Sequence, residues 1–375
     1  MAADTLCSTP FGDFHLQRHA ARKEEPLQAW CAADLLLLEE SHRLGIPGSD
    51  ALVLNDEHGA LCVALQPAAL WTDSALAALA LRHNLAANGR DRVMVVWSTQ
   101  VPALRPRLAV LRIPKQLPYF EYQLAALARL LAPGGTVLAA GMDKHLSPAV
   151  ADLLEHYIGP TERQPGQRKA RLFSAVLERR PEAPDAPSPA SYYCDEVAGE
   201  LQSLPNVFSR DKLDGGSRLL LAQLSRLAPA ATVLDLACGN GVLGLAAFRA
   251  GLAPAVVFTD ESAMAVASAR ANGARLFGSD QNAFVFHQGD GVADYSGTPA
   301  DLVLCNPPFH LNHAMDEYAG RRLLQQCVRH LPPGGRLCLV ANQHLDYLAT
   351  LRRHFRRVEK LARDRRFIVW LAQRD

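Results

Sequence analysis

Long apolar runs are missing from this chain of 375 residues: none approaches the roughly eighteen consecutive positions that a membrane helix needs. The N-terminal stretch MAADTLCSTPFGDF also lacks a basic segment followed by an apolar one. Both absences predict a protein that stays in the cytoplasm, with no membrane partner. None of the eight cysteines forms a Cys-x-x-Cys pair, which excludes the common zinc ribbons and a disulfide framework, so the thiols are expected to be reduced. His310 and His313 have no carboxylate at ligand spacing, so no metal is expected either. An excess of one charge is missing too, the net value being +1. With 49% hydrophobic and 21% charged residues, the composition is that of a globular protein long enough for two domains.

Against this background, residues 233–309 stand out. VLDLACGNGVLGL is an apolar run ending in Asp235 and followed by Gly239, Gly241 and Gly244. It reads as a buried parallel strand, then a turn where backbone can approach a ligand, then a helix. Gly-x-Gly-x-x-Gly alone also serves nicotinamide and flavin proteins, and Asp260, about twenty positions on in VVFTDES, would hold ribose hydroxyls in either case. Asp235 separates the readings. At the strand end a carboxylate would repel a pyrophosphate, but it can accept from the ammonium of a bound amino acid, directly or through water. Asp290, in FHQGDG, can receive an adenine amino group. Three carboxylates thus match the three donor-bearing parts of S-adenosylmethionine, which has no phosphate. The cradle is expected to comprise Asp235, Ala237, Cys238, Gly239, Asn240, Gly241, Asp260, Glu261, Ser262, Asp290, Gly291 and Asn306. Ala237 should avoid positive φ, so that the turn starts at Gly239.

The chemistry is expected from Asn306, Pro307, Pro308 and Phe309, in LVLCNPPFH. Two prolines remove two backbone donors, leaving carbonyls and the Asn306 side-chain oxygen to accept from a planar exocyclic amine. Accepting its protons would pyramidalise the nitrogen and aim the lone pair at a sulfonium methyl. Phe309 would stack on the base, and His310 reads as a lip of its pocket. Cys305 could serve as a nucleophile for pyrimidine C5 methylation, against the plainer reading of a buried strand-end thiol. The same loop logic serves DNA adenine N6 and protein glutamine N5 methyltransferases. A nicotinamide oxidoreductase has no use for it, and a non-catalytic RNA-binding protein would not need an intact cradle.

The chain also reads as written twice. RPEAPDAPSPA, with four prolines, marks a linker over 181–190 between domains 1–180 and 191–375. LVLNDEHGALCV can be laid on LDLACGNGVLGL, LLAPGGTVLAAGMDKHL on HLPPGGRLCLVANQHL, and KARLFSAVL on RRFIVWLA. Each half then alternates strands and helices, an α/β architecture. Where the second copy has Asp235, Gly239 and Asn306, the first has Val53, Glu57 and Arg112. The first copy is therefore expected to be degenerate, kept for packing or for RNA. Lys169 and Arg171 are its candidates for phosphate contact, and Arg365 and Arg366 those of a C-terminal segment, from Arg352 to Asp375, with nine basic and three acidic residues. A solvated face is the alternative use of such runs.

In these motifs, and in PLQAW, RIPKQL, NVFSRDKLDGGSRLLL, TDESAMAVASARAN and VANQHLDY, the chain resembles bacterial ribosomal RNA guanine-N2 methyltransferases built from two tandem Rossmann-like domains. CNPPFH and FSRDKLD are shared by the small- and large-subunit branches, whereas PLQAW, the LND stretch and HLDY resemble the large-subunit branch, methyltransferase G. The resemblance implies two class I methyltransferase folds, the first degenerate, and methylation of a guanine N2 in 23S ribosomal RNA, with 16S RNA as the alternative. Because a paired guanine hides its N2 in the minor groove, unpaired or protein-poor RNA is expected as substrate, and the protein is expected to act as a monomer. The resemblance also brings Phe208, Ser209, Asp214 and Gly216, in the segment before the first strand, into the cofactor's cover. Unaided, these read as a turn and a helix cap.

Overall fold

The structure, a computed structural model, describes residues 3–20, 25–178, 184–307, 313–345 and 347–375. The chain divides into two units, Met1–Ser188 and Pro189–Asp375.

In the first unit a hairpin, β1 (Leu6–Thr9) and β2 (Gly12–His15), precedes α1 (Ala32–Leu44), β3 (Ala51–Leu54), α2 (Ala60–Leu65), β4 (Ala69–Thr72), α3 (Ala75–Ala87) and β5 (Met94–Trp97). Then come β6 (Leu108–Arg112), α4 (Leu117–Leu130), β7 (Thr136–Met142), α5 (Val150–Tyr157), β8 (Thr161–Arg163) and β9 (Ala170–Val176). The second unit opens on another hairpin, β10 (Ala190–Cys194) and β11 (Gly199–Ser203), so the segment expected as linker already ends in a strand. It continues with α6 (Gly215–Leu221), β12 (Thr232–Leu236), α7 (Val242–Arg249), β13 (Ala255–Asp260), α8 (Ala263–Phe277) and β14 (Phe284–Gln288). The last elements are β15 (Leu302–Cys305), α9 (His313–His330), β16 (Arg336–Asn342), α10 (Tyr347–His354), β17 (Arg357–Arg363) and β18 (Phe367–Gln373).

The two seven-stranded sheets have one topology: β5-β4-β3-β6-β7-β9-β8 and β14-β13-β12-β15-β16-β18-β17. The first five strands of each are parallel, and the last hairpin inserts β9 or β18 antiparallel against β7 or β16. Buried on both faces, the central strands are continuous apolar runs. In the second unit one face packs Leu220, Leu245, Phe258 and Val340 together, the other Leu234, Leu236, Val303 and Leu324.

Registers align the copies residue by residue. Val53 pairs with Leu70 and Val110, as Asp235 pairs with Phe258 and Leu304. The difference is compensated in packing. A Cβ at Gly244 would stand 2.5 Å from the Phe258 ring. The first copy has Cys62 there, and the smaller Leu70 opposite makes room for it. Both hairpins are clamped alike. Asn84 of α3 exchanges hydrogen bonds with the backbone of Gln17, and Asn272 of α8 with that of Gln202.

Candidate active site

In a doubly wound sheet ligands gather outside the carboxyl ends of the strands, where the order reverses. In the second unit that point lies between β12 and β15, with Leu236 and Cys305 in register. It brings the glycine loop beside Asn306.

Asp235 is fully buried. Its Oδ2 accepts from the Gly244 N–H at 2.8 Å, while Oδ1 has no partner among the described residues. Burial, opposed by the Gly244 bond and reinforced by Asp260, pushes its carboxyl up to about 8. Asp260 lies one strand over, its Oδ2 accepting from Gly239 N–H and its Oδ1 from Ser262 N–H, both at 2.9 Å. The carboxylate that ends β13 therefore also ties down the glycine loop. Ser262 caps α8 by accepting from Ala265 N–H at 3.1 Å, and Glu261 lies between the two. Cys238 is buried, its thiol pushed well above the usual value by burial first and by Asp260 next.

Several expectations need correction. Ala237 does adopt positive φ, 59°. The turn starts there because the Cys238 N–H then donates to the Thr259 carbonyl at 3.0 Å and Gly239 reaches Asp260. Those bonds offset the roughly 1–2 kcal/mol that a left-handed L-residue costs. The first copy turns at the same place with Asn55, φ also 59°. Asn240 faces away from the loop, donating to the Tyr192 and Ser203 hydroxyls of the β10–β11 hairpin. Asp290, assigned by sequence to an adenine amine, is buried under the Arg322 guanidinium and accepts from the Gln326 amide at 3.2 Å. Asp290 is thereby tied to α9 and braces the Gly291 turn, φ 60°, where Val292 N–H also donates to Gln326. Cys305 is buried with its thiol pushed well above the ordinary value, by burial first and by Cys327 next, the setting of a buried strand-end thiol.

Asn306 and Pro307 follow β15, while Pro308, Phe309 and His310 lie outside the described residues. The Asn306 amide nitrogen donates to Asp214 Oδ2 at 2.9 Å and to the Ser217 hydroxyl at 3.0 Å. Asp214 also caps α6, accepting from Gly216 N–H at 2.8 Å and Ser217 N–H at 3.1 Å. Phe208 lies exposed in the segment before α6, where Ser209 Oγ donates to the Lys212 carbonyl.

Lys169, Arg365 and Arg366 are exposed and share a place: the turns entering β9 and β18. The Lys169 carbonyl accepts from Asp143 N–H as that of Arg366 accepts from Gln343 N–H. Both turns stand at the carboxyl ends of β7 and β16, beside their unit's switch point. Arg171, just inside β9, is part-exposed and paired with Asp143 at 3.1 Å.

Side chains narrow the switch point of the first unit to a cavity of about 60 Å³, lined by Cys31, Asp34, Asp56, His58 and Arg112 among others. Arg112, at the place of Asn306, forms a buried ion pair with Asp34 of α1. Asp56 accepts from Gly59 N–H and Cys62 N–H and is pushed up to about 6, by burial first and by Asp34 next. His58 has both ring nitrogens buried without partners among the described residues, and burial pushes it down to about 3.

The RLMG N-terminal domain model matches residues 4–179, and the methyltransferase small domain model matches residues 198–371. The chain is 42% identical to the ribosomal RNA large subunit methyltransferase G of Ectopseudomonas mendocina, over 98% of this chain and all of that one. The chain belongs to the ribosomal RNA large subunit methyltransferase G family. Another relative in the family, from Alcanivorax borkumensis, is 40% identical over 97% of this chain and 96% of its own. Among solved structures, the chain is similar to the Thermus thermophilus 16S rRNA N2 G1207 methyltransferase in complex with AdoMet and guanosine. The TM-score is 0.76 and the identity 25%, over 99% of this chain and 98% of that one. Both sheets have the class I methyltransferase order, and in the first the place of Asn306 is taken by Arg112 in its ion pair with Asp34.

Proposed function

We propose that the second domain methylates the exocyclic N2 of a guanine in 23S ribosomal RNA, using S-adenosylmethionine. The carrying observation is the pairing of β12 with β15, which sets a buried, half-unpartnered Asp235 beside Asn306 at one switch point. The residues fit this cofactor. Asp235 Oδ1 accepts from no described residue and can take a cationic donor, Asp260 can accept from ribose hydroxyls, and the space over Gly239, φ 54°, is open where a ligand would approach the backbone. When bound, S-adenosylmethionine supplies an electrophilic methyl on a sulfonium.

The rest falls to this chain's residues. Asn306 Oδ1 and the Pro307 carbonyl accept the two hydrogens of the guanine amine and draw its lone pair out of conjugation with the ring. With that methyl supplied and the neutral thioether left behind, the alkylated amine would pass its extra proton to water beside Asn306. Phe309 stacks on a base drawn out of its helix, so unpaired RNA is the better substrate. The first domain does not bind cofactor and serves packing or RNA. Nucleoside mass spectrometry of ribosomal RNA from cells with and without the protein tests the assignment.

Asp235 predicts a pH profile. Free, its carboxyl titrates near 8. Pairing with the ammonium of the cofactor requires the ionised form, so binding below that pH releases a proton and affinity rises by at most about tenfold per pH unit. Above about 8 an α-amino group loses its own proton and affinity falls again. Calorimetry from pH 6 to 9 should trace this bell, and Asp235→Asn should remove its rising limb. A flat wild-type profile would place the ammonium elsewhere.

Arg365 and Arg366 are proposed to contact phosphate. Replacing both by Gln should flatten the salt dependence of RNA binding by a slope of about one per contact, with cofactor affinity unchanged. An unaltered slope would make this turn a solvated surface.

A further inference from the structure

We propose that Asp214 is a positioning residue: with the Ser217 hydroxyl it locks the Asn306 amide so that Oδ1 alone faces the substrate amine. This rests on the function proposed above and adds the device that makes Asn306 competent. An Asn amide is nearly symmetric in shape, and turned over it would present two donors to an amine that is itself a donor. Asp214 forbids the wrong orientation. An ionised carboxylate only accepts, so the amide group facing its Oδ2 at 2.9 Å must be NH2. The second hydrogen goes to Ser217 Oγ at 3.0 Å. Both donors are then consumed, and Oδ1 accepts from no described residue.

The lock is itself held. The same Asp214 oxygen accepts from Gly216 N–H and Ser217 N–H, so it cannot swing away without uncapping α6. Its negative charge also polarises the amide along the hydrogen bond, making Oδ1 a stronger acceptor.

The first domain carries independent support. There α1 packs on β7 and β9 as α6 packs on β16 and β18, and Asp34, in the first turn of α1, holds Arg112. Both copies thus clamp the residue at the end of the fourth strand with a carboxylate from the start of the corresponding helix. The two carboxylates enter differently, Asp214 as the N-cap of α6 and Asp34 from the third position of α1, yet each holds the residue after the same strand, Asn306 in one copy and Arg112 in the other.

A mutant cycle separates positioning from mere stabilisation. Asp214→Asn leaves an oxygen to cap α6 but loses the charge and the single-valued orientation. It should lower the single-turnover methylation rate about tenfold or more, with cofactor and RNA dissociation constants within about twofold of wild type. In an Asn306→Ala background the same substitution should change nothing further. Ser217→Ala should also slow the reaction and Ser217→Thr restore it, which keeps the test open if Asp214→Asn fails to fold. Equal slowing by Asp214→Asn in both backgrounds, or a wild-type rate, would overturn the lock. Full activity of Asn306→Ala would overturn the function proposed above instead, so the two failures are distinguishable.

Discussion

Asn306→Ala is expected to retain cofactor binding and to depress the single-turnover rate by roughly 10²-fold or more. The substitution removes an acceptor aimed at charge that develops on the amine only as its lone pair is freed. The ground state loses little and the transition state loses most. It also leaves Asp214 and Ser217 without their shared donor, but Asp214 still accepts from Gly216 N–H and Ser217 N–H at the start of α6, so folding should not suffer. Thermal denaturation near the wild-type midpoint, with a cofactor affinity unchanged, would locate the loss in the chemical step. A fully active variant would mean that the loop has been misread.

Asp260→Ala should weaken cofactor binding by about 2–4 kcal/mol, the scale of charge-assisted hydrogen bonds lost from a partly buried site. Two losses combine here, because the carboxylate offers acceptors to the ribose and also holds Gly239 and Ser262. Asp260→Asn separates them. Its single carbonyl oxygen can keep one backbone bond, so it should fall between wild type and Ala. Calorimetry on the full chain measures both, and an unchanged dissociation constant for Asp260→Ala would reduce the residue to a loop brace.

The parts of this site that could be read in the sequence are those whose logic is local. An apolar run ended by Asp235, a loop of glycines and an Asn-Pro-Pro turn each announce a strand end within a dozen residues. The duplication could be read too, since Thr136–Met142 and Arg336–Asn342 follow the same Pro-Gly-Gly turns into the same strand of their sheets. What escaped depends on distant partners. Nothing near Asp290 in the chain foretells that Arg322, on a later helix, will cover it. Asp214 reads as an ordinary helix cap until the fold brings Asn306, 92 positions away, onto the same oxygen. Asn84 and Asn272 look like weak points within helices, yet each fastens a hairpin roughly 70 positions upstream. At Ala237 a local rule was overridden, because two hydrogen bonds to the neighbouring strand end outweigh the strain of its backbone.

The most direct measurement is quantitative nucleoside mass spectrometry of separated 23S and 16S RNA from cells with the protein, cells without it, and cells carrying Asn306→Ala. The account predicts that one N2-methylguanosine per 23S molecule disappears in the second and third cultures while 16S RNA is unchanged. Undiminished N2-methylguanosine in 23S RNA, or a loss of methyladenosine or methylcytidine instead, would contradict it.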